Sequence, residues 1–410
     1  MERAELSEAL RPWRSRAAAG PAAKRAILGE AAPEKFMAAF ATAAAGTENI
    51  FLFDPRWGTN ELAQATALAA AGPAEAATAR GYVMIPTGGT SGRVRFARHD
   101  AATISAAVRG FTEHFSMARV NAAGVLPLHH VSGLMAWMRA ALTGGAYLPL
   151  DWKSVEQGRR PELPARADGW TISLVPTQLE RLLREDRAVA WLEGFRLICL
   201  GGAPASPELL DRAAARRLPV SPGYGLTESA AMVAALRPAD FLTGARGCGP
   251  PLPHVAVAIA ADGAITLRGA SLFHGYFPEW RAEEVFVTSD AGRLDDHGHL
   301  HPLGRLDAVV VTGGEKVNPS EIEAVIRGTG ELREVVVVGV PDQEWGEVLA
   351  AVYPAAERPE LSRLASAIDR ALAPAKRPKH YVPVAAWPAN AQGKVNRDEI
   401  ARAARQILAR

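Results

Sequence analysis

Cysteine is nearly absent from this chain: Cys199 and Cys248 are the only two among 410 residues, and no metal-ligand spacing joins them. That excludes a disulfide framework and agrees with a reducing cytosol. Net charge is scarce as well, at a formal +2. So even a balance gives no reason to expect nucleic acid or an anionic membrane as partner, and an anionic substrate must be met by local charge. Long apolar runs are missing too. The longest, such as residues 335–338, are strand-sized and far below a membrane span. The Ala/Arg-rich N-terminus is interrupted by Glu2, Glu5 and Glu8 with no apolar stretch behind it, so it reads as a cytosolic helix rather than a targeting segment. The expectation is a cytoplasmic protein without membrane insertion.

What is present is the composition of a globular protein, 48% hydrophobic and 22% charged, at a length that suggests two or three domains. Residues 1–80 read as helices, with Ala-rich stretches at 38–45 and 65–71. From about residue 81, short apolar strands alternate with helical segments. A strand end at Leu126-Pro127-Leu128, a helix over 132–142 and strands at 146–150, 172–175 and 197–200 suit βαβ units and a largely parallel, buried sheet. Strands 255–260 and 264–268, joined by Ala261-Asp262-Gly263, give a hairpin signal, and Asp296-His297-Gly298 marks another turn. A β-rich unit is therefore expected at about 240–305. After Asp307 come a strand at 309–311, a helix from Pro319, a strand at 335–340 and a helix at 361–372, a compact α+β unit. The fold class expected is α/β: a large domain over 1–306 with mixed and parallel sheets flanked by helices, and a small mobile α+β domain over 307–410.

Four segments carry chemistry. Pro86-Thr87-Gly88-Gly89-Thr90-Ser91-Gly92 follows an apolar run, and its glycines and hydroxyls suit a loop closing around phosphate oxygens. It is not a P-loop, since no Gly-Lys-Ser/Thr ends it. In Gly223-Tyr224-Gly225-Leu226-Thr227-Glu228 an aromatic face is ready to stack on a base, Thr227 offers a hydroxyl to phosphate and Glu228 a hard oxygen to Mg²⁺. Read blandly, it is a turn with an N-cap Thr. Asp290, with Gly304-Arg305-Leu306-Asp307 further on, suits a ribose held by carboxylate and guanidinium, or a surface ion pair. Gln392-Gly393-Lys394-Val395-Asn396-Arg397 sets a lone lysine behind a glycine near the C-terminus, by itself a solvated turn.

In this order the four resemble the adenylate-forming superfamily of acyl-CoA synthetases, peptide-synthetase adenylation domains and firefly luciferase. The resemblance runs from about residue 81 to 400 and includes Gly313-Gly314-Glu315-Lys316-Val317-Asn318-Pro319-Ser320-Glu321-Ile322-Glu323. Within it, the loop extended by Arg93-Val94-Arg95-Phe96-Ala97, with Leu126-Pro127-Leu128-His129-His130-Val131-Ser132-Gly133-Leu134 and Leu174-Val175-Pro176-Thr177-Gln178-Leu179, looks most like the o-succinylbenzoate–CoA ligase branch of menaquinone or phylloquinone synthesis. Two features depart from the family: Gly88 stands where a Ser is usual and Val94-Arg95 where Pro-Lys is usual, although Arg95 keeps the charge. The N-terminal part is also shorter, which implies a trimmed first subdomain and surface that a homo-oligomer would cover.

The resemblance implies a two-step ligase using ATP, Mg²⁺, coenzyme A and a small carboxylic acid. Thr87, Gly88, Gly89, Thr90, Ser91, Gly92 and Arg95 would hold the phosphates, joined by Thr227. Glu228 would hold the metal. Gly201, Gly202, Ala203 and Pro204 would wall the adenine and acyl pocket, with Tyr224 and Gly225 on the base and Asp290 and Arg305 on the ribose. Lys394 would bridge substrate carboxylate and α-phosphate, His130 would face the reacting atoms, and Ser132, Thr177 and Arg139 are guesses for the acyl pocket. Asp307 would be the hinge, and Gly313, Gly314 and Lys316 would line the coenzyme tunnel. The cluster around His297, His299 and His301 reads as a surface hairpin rather than a metal site. Transfer to a carrier protein and a nucleotide-binding scaffold without catalysis stay open as alternatives.

Overall fold

The computed structural model describes residues 25–45, 49–71, 81–88, 94–312, 315–342, 345–388 and 395–409. Its first sheet has the order β1 (Arg25–Leu28), β2 (Asn49–Leu52), β3 (Val83–Gly88), β4 (Val94–His99), parallel except for the β3–β4 hairpin. Helices α1 (Pro33–Ala45) and α2 (Thr59–Ala71) flank it. The first eighty residues are thus not wholly helical. Two four-residue strands interrupt the helices; the stretch before Arg25 lies outside the described residues.

The second sheet is built from β5 (Ala122–Gly124), β6 (Tyr147–Pro149), β7 (Thr171–Leu174), β8 (Leu197–Leu200), β9 (Val220–Leu226) and β10 (Ala231–Ala235), in the order β10-β9-β8-β7-β5-β6. All neighbours are parallel except β9–β10. Leu126-Pro127-Leu128 follows β5 as a connection rather than as its end. Every residue of β8 is buried, as a central parallel strand covered on both faces requires. Helices α3 (Ala101–His114) and α4 (Val131–Thr143) fill the space between the sheets. Helix α3 starts where Asp100 accepts from the Thr103 amide at 2.9 Å, an N-cap worth about 1 kcal/mol. Helix α4 stops at Gly144, which takes the left-handed φ of +67°. Between them Trp137 is fully buried, edge-on to Phe40 at 5.2 Å. Helices α5 (Pro176–Leu182), α6 (Asp186–Glu193) and α7 (Pro207–Ala215) contribute to the core over the second sheet.

The expected β-rich unit is an antiparallel sheet of β11 (Val255–Ile259), β12 (Ala264–Gly269), β13 (Phe286–Leu294) and β14 (Leu300–Arg305). Its last turn is closed by Asp295, whose Oδ1 accepts the amides of His297 and His299 while Oδ2 meets His301 at 2.9 Å.

The C-terminal sheet contains β15 (Val310–Thr312), β16 (Glu315–Val317), β17 (Val336–Asp342), β18 (Gly346–Pro354) and β19 (His380–Val384). Helices α8 (Pro319–Gly328) and α9 (Leu361–Ala371) cover one face and α10 (Arg397–Leu408) the other. Alternate residues of β17 feed these two cores, Val337 one and Val336 and Val338 the other. Among the described residues no helix is long and apolar enough to cross a membrane.

Candidate active site

Parallel strands release their loops at one edge, and ligands of open α/β sheets bind there. In the second sheet that edge carries 125–130 after β5, Val175 after β7, Gly201–Ala205 after β8 and Thr227 after β9. In the first sheet, Asp54 follows β2 and Thr87 lies near the end of β3, and these two strands are parallel.

Gly89, Thr90, Ser91, Gly92, Gly313, Gly314 and Lys394 lie outside the described residues, as do the side chains of Asp307 and Lys316. The base of the phosphate loop is described. Thr87 pairs with Arg95, and Gly88 with Val94, across the β3–β4 ladder. Thr87 is buried and its Oγ1 has no hydrogen-bond partner among the described residues. A buried hydroxyl left unpaired costs about 1–3 kcal/mol, so this one is suited to a ligand oxygen.

Thr227 and Glu228 sit in a short 3₁₀ turn after β9. Its backbone is held by His99, which is fully buried. The Thr227 carbonyl can only accept, so His99 Nε2 donates to it at 2.8 Å, leaving Nδ1 to face Thr103 Oγ1 at 3.1 Å. Burial holds His99 neutral, with its pKa lowered to about 4. Ala230 and Ala231 follow with φ of +53° and +79°, a strained pair of about 1–3 kcal/mol each. Glu228 is buried, and Tyr276 donates to its Oε1 at 2.5 Å. The other carboxylate oxygen has no protein partner among the described residues. That fits Mg²⁺, which takes one or two carboxylates and completes its shell with phosphate and water. Arg95 lies over the Tyr276 ring, 4.2 Å from its centroid. Sequence reasoning missed Tyr276 because it looked for acids and hydroxyl-rich loops; the aromatic after Gly275 was the available signal.

Asp290 and Arg305 are directly opposite in the β13–β14 ladder. The Tyr224 hydroxyl donates to Asp290 Oδ2 at 2.6 Å, so the residues expected on base and ribose do come together. Next to Tyr224 only glycine fits: a Cβ on Gly225 would stand 2.1 Å from the Ala231 carbonyl oxygen. Gly201, Gly202, Ala203 and Pro204 form the loop after β8, half-buried at Gly201 and exposed beyond it.

His130 is the N-cap residue of α4, and Ser132 lies half-buried in its first turn; Thr177 is half-buried in the first turn of α5. The unforeseen partner of His130 is Asp54. Its carboxylate stands 3.3 Å from His129 Nε2 and 3.4 Å from His130 Nε2, and takes two guanidinium bonds from Arg56 at 2.9 and 2.7 Å. Burial opposes its ionisation, but His129, His130 and Arg56 together hold it well below the usual carboxylate range. The three ligand atoms are close enough for a metal ion. Arg56 already neutralises the acid bidentately, however, so the group is an ion-paired hub that fixes His130. It was hidden in the stretch read as helix.

Arg139, on α4, is buried. Its guanidinium lies 4.0 Å from the centroid of Phe111, and Nε has no partner among the described residues. Among the described residues no carboxylate comes within ion-pair distance. Burial lowers its pKa. His254 is close by, its ring against Gly110 and both nitrogens unpaired among the described residues, with its pKa lowered to about 4 by burial and then by Arg139 and Arg109.

The model of the AMP-binding enzyme family matches residues 22–277, and that of the AMP-binding enzyme C-terminal domain matches 321–394. The chain is 34% identical over 282 residues to a 2-succinylbenzoate–CoA ligase of Listeria monocytogenes serotype 4b, covering 67% of this chain and 60% of that protein. It is 31% identical over 304 residues to an indoleacetate–CoA ligase of Aromatoleum aromaticum, covering 70% and 59%. The chain thus spans about three fifths of the length of these relatives. The fold superposes on o-succinylbenzoate CoA synthetase (MenE) from Bacillus subtilis in complex with OSB-AMP, with a TM-score of 0.78 at 22% identity, covering 97% of this chain and 91% of that one. An Escherichia coli MenE variant with bound OSB-AMS gives 0.77 at 25% identity, covering 98% and 92%. Because the first family model covers more than half of the chain, including every strand of the first two sheets, the chain belongs to the AMP-binding enzyme family.

Proposed function

We propose that this chain is an ATP-dependent, AMP-forming acid–CoA ligase whose acid is a dicarboxylate, 2-succinylbenzoate, in quinone biosynthesis. The relatives' names support the class. The observation that carries the substrate is Arg139, a buried guanidinium that no carboxylate among the described residues meets. An unpaired buried charge costs several kcal/mol. A monocarboxylate, once adenylated, has no anion left to offer, whereas a dicarboxylate keeps one.

In this reading the acid's carboxylate attacks the α-phosphate of ATP, an acyl-adenylate forms and pyrophosphate leaves. The chain's task is alignment and neutralisation of crowded negative charge. The phosphate loop and the Thr87 and Thr227 hydroxyls receive the phosphates, Asp290 and Arg305 the ribose, and Tyr224 the base. Glu228 would hold Mg²⁺, which when bound would supply charge neutralisation to the phosphates. Lys394 stabilises the transferring oxygen, and the Asp54 hub keeps His130 facing the reacting atoms. The coenzyme A thiolate then attacks the acyl carbon and AMP leaves. For this the small unit, 307–410, swings about Asp307 so that Gly313, Gly314 and Lys316 replace Lys394 at that face. The separate hydrophobic clusters on either side of residue 307 support such a hinge. ATP and coenzyme A place the enzyme in the cytoplasm.

The test is thioester formation over a series of aromatic and aliphatic acids, for the wild type and Arg139→Met. The wild type should prefer 2-succinylbenzoate to benzoate and phenylbutyrate by at least about 100-fold in kcat/KM, and Arg139→Met should erase most of that preference. The variant should be as stable as the wild type or up to about 2 kcal/mol more so, since an apolar side chain replaces an unpaired buried cation. Equal use of monocarboxylates by the wild type would overturn the substrate assignment.

A further inference from the structure

We propose that Tyr276 is a positioning residue that holds the Glu228 carboxylate ready for a divalent cation and keeps it apart from Arg95. This rests on the ligase reading, in which Glu228 carries Mg²⁺.

The loop between β12 and β13 touches Glu228 twice. The Phe273 amide donates to the Glu228 carbonyl at 2.8 Å, and the Tyr276 hydroxyl donates to the carboxylate at 2.5 Å. The loop is itself stitched to β4. Ala97 bridges Tyr276 in antiparallel fashion, the Arg98 amide donates to the Gly275 carbonyl at 3.0 Å, and the Phe277 amide to the Phe96 carbonyl at 2.9 Å. The fully buried Arg98 guanidinium adds bonds to the carbonyls of Pro278 and Glu279. Gly275 makes the turn with φ of +124°, where a Cβ would stand 2.6 Å from the Arg281 amide nitrogen. Tyr276 is therefore fixed from both sides. Phe273 packs edge-on against its ring at 4.9 Å.

Its two surfaces face opposite charges. The hydroxyl meets Glu228 while the π-face carries the Arg95 guanidinium at 4.2 Å. Among the described residues no ion pair joins Arg95 to Glu228. Were the ring absent, Arg95 could reach the carboxylate and satisfy it, and a satisfied carboxylate competes poorly for a metal. The phenol does not bring this penalty. Its hydroxyl donates a hydrogen bond to one carboxylate oxygen without bringing a cation to it. One oxygen of Glu228 is thereby oriented and the other left for the cation.

The test is Mn²⁺ binding in the presence of the non-cleavable analogue α,β-methylene-ATP, followed by electron paramagnetic resonance, together with the Mg²⁺ dependence of pyrophosphate release. Tyr276→Phe keeps the ring over Arg95 but loses the hydroxyl, and should weaken Mn²⁺ binding about tenfold. Tyr276→Leu also removes the spacer and should weaken it about 100-fold. Adding Arg95→Met to that variant, read at saturating analogue because Arg95 is also expected on the phosphates, should recover about tenfold, because the competing cation is gone. A purely structural role would lower the melting temperature of the variants without moving metal affinity. Wild-type Mn²⁺ affinity in Tyr276→Phe, or no recovery in the double variant, would overturn the inference. A wild type that binds no metal–nucleotide at all would instead overturn the ligase reading beneath it.

Discussion

Tyr224 and Asp290, 66 positions apart in sequence, share one hydrogen bond of 2.6 Å between β9 of the parallel sheet and β13 of the antiparallel one. Burial, followed by the Asp290 charge, pushes the phenol well above its ordinary range, so it stays a donor. Of Asp290's two oxygens one is thus oriented by the protein. Asp290→Ala removes the proposed ribose acceptor and takes away the Tyr224 hydroxyl's partner. It should raise the KM for ATP about 10- to 100-fold, with Tyr224→Phe causing a smaller rise. Steady-state titration of ATP checks this, and an unchanged KM in Asp290→Ala would remove Asp290 from the nucleotide site.

Acid should destabilise the fold through its buried histidines. His99, His114 and His254 each have the pKa lowered to about 4, chiefly by burial. Between that value and the unfolded 6.5 the unfolded chain binds more protons, so stability is full above pH 6.5 and is lost as pH falls toward 4. Each contributes a slope of at most about 1.4 kcal/mol per pH unit in that window. Denaturation midpoints from pH 7.5 to 4.5 should fall accordingly, and His99→Gln should flatten the fall. A profile level across this range would contradict the burial of these rings.

Arg397, three positions beyond Lys394 in sequence, anchors the start of α10. Its Nη2 pairs with Glu323 and its Nη1 donates to the Val337 carbonyl at 3.1 Å, while Glu323 accepts the Val337 amide at 2.9 Å. If Arg397 is lost, the buried Glu323 keeps the Val337 amide, and Arg327 at 3.1 Å is its one remaining cation among the described residues. Arg397→Ala should therefore cost about 2–3 kcal/mol in the small unit and slow adenylate formation more than thioester formation from supplied adenylate. Hydrogen exchange at β17 reads the first effect and separate half-reaction assays the second; unaltered exchange would mean that the pair holds nothing.

Much of this was legible beforehand. The apolar run of β8, the turn between β11 and β12 and the helix behind His130 are local patterns, and each lies where the sequence predicts it. The N-terminal strands are not legible, because β1 buries only Leu28 and β2 only three apolar residues, runs too short beside Ala-rich helices to be told from a helical turn. That error concealed Asp54 and Arg56, which act on His130 only through the tertiary fold. β18 was missed for a related reason: its residues are buried on both faces, so no alternation marks it. Arg139 and Tyr276 are informative only through what surrounds them: an absent anion in one case, a carboxylate from β9's turn in the other.

The central claim is a two-step reaction in which activation precedes thiol transfer. Mixing the enzyme with ATP, Mg²⁺ and 2-succinylbenzoate, without coenzyme A, tests it most directly. One equivalent of pyrophosphate per enzyme should appear in a burst, with AMP and thioester following only when coenzyme A is added. Failure to release pyrophosphate, or ADP and phosphate as the products, would contradict the account.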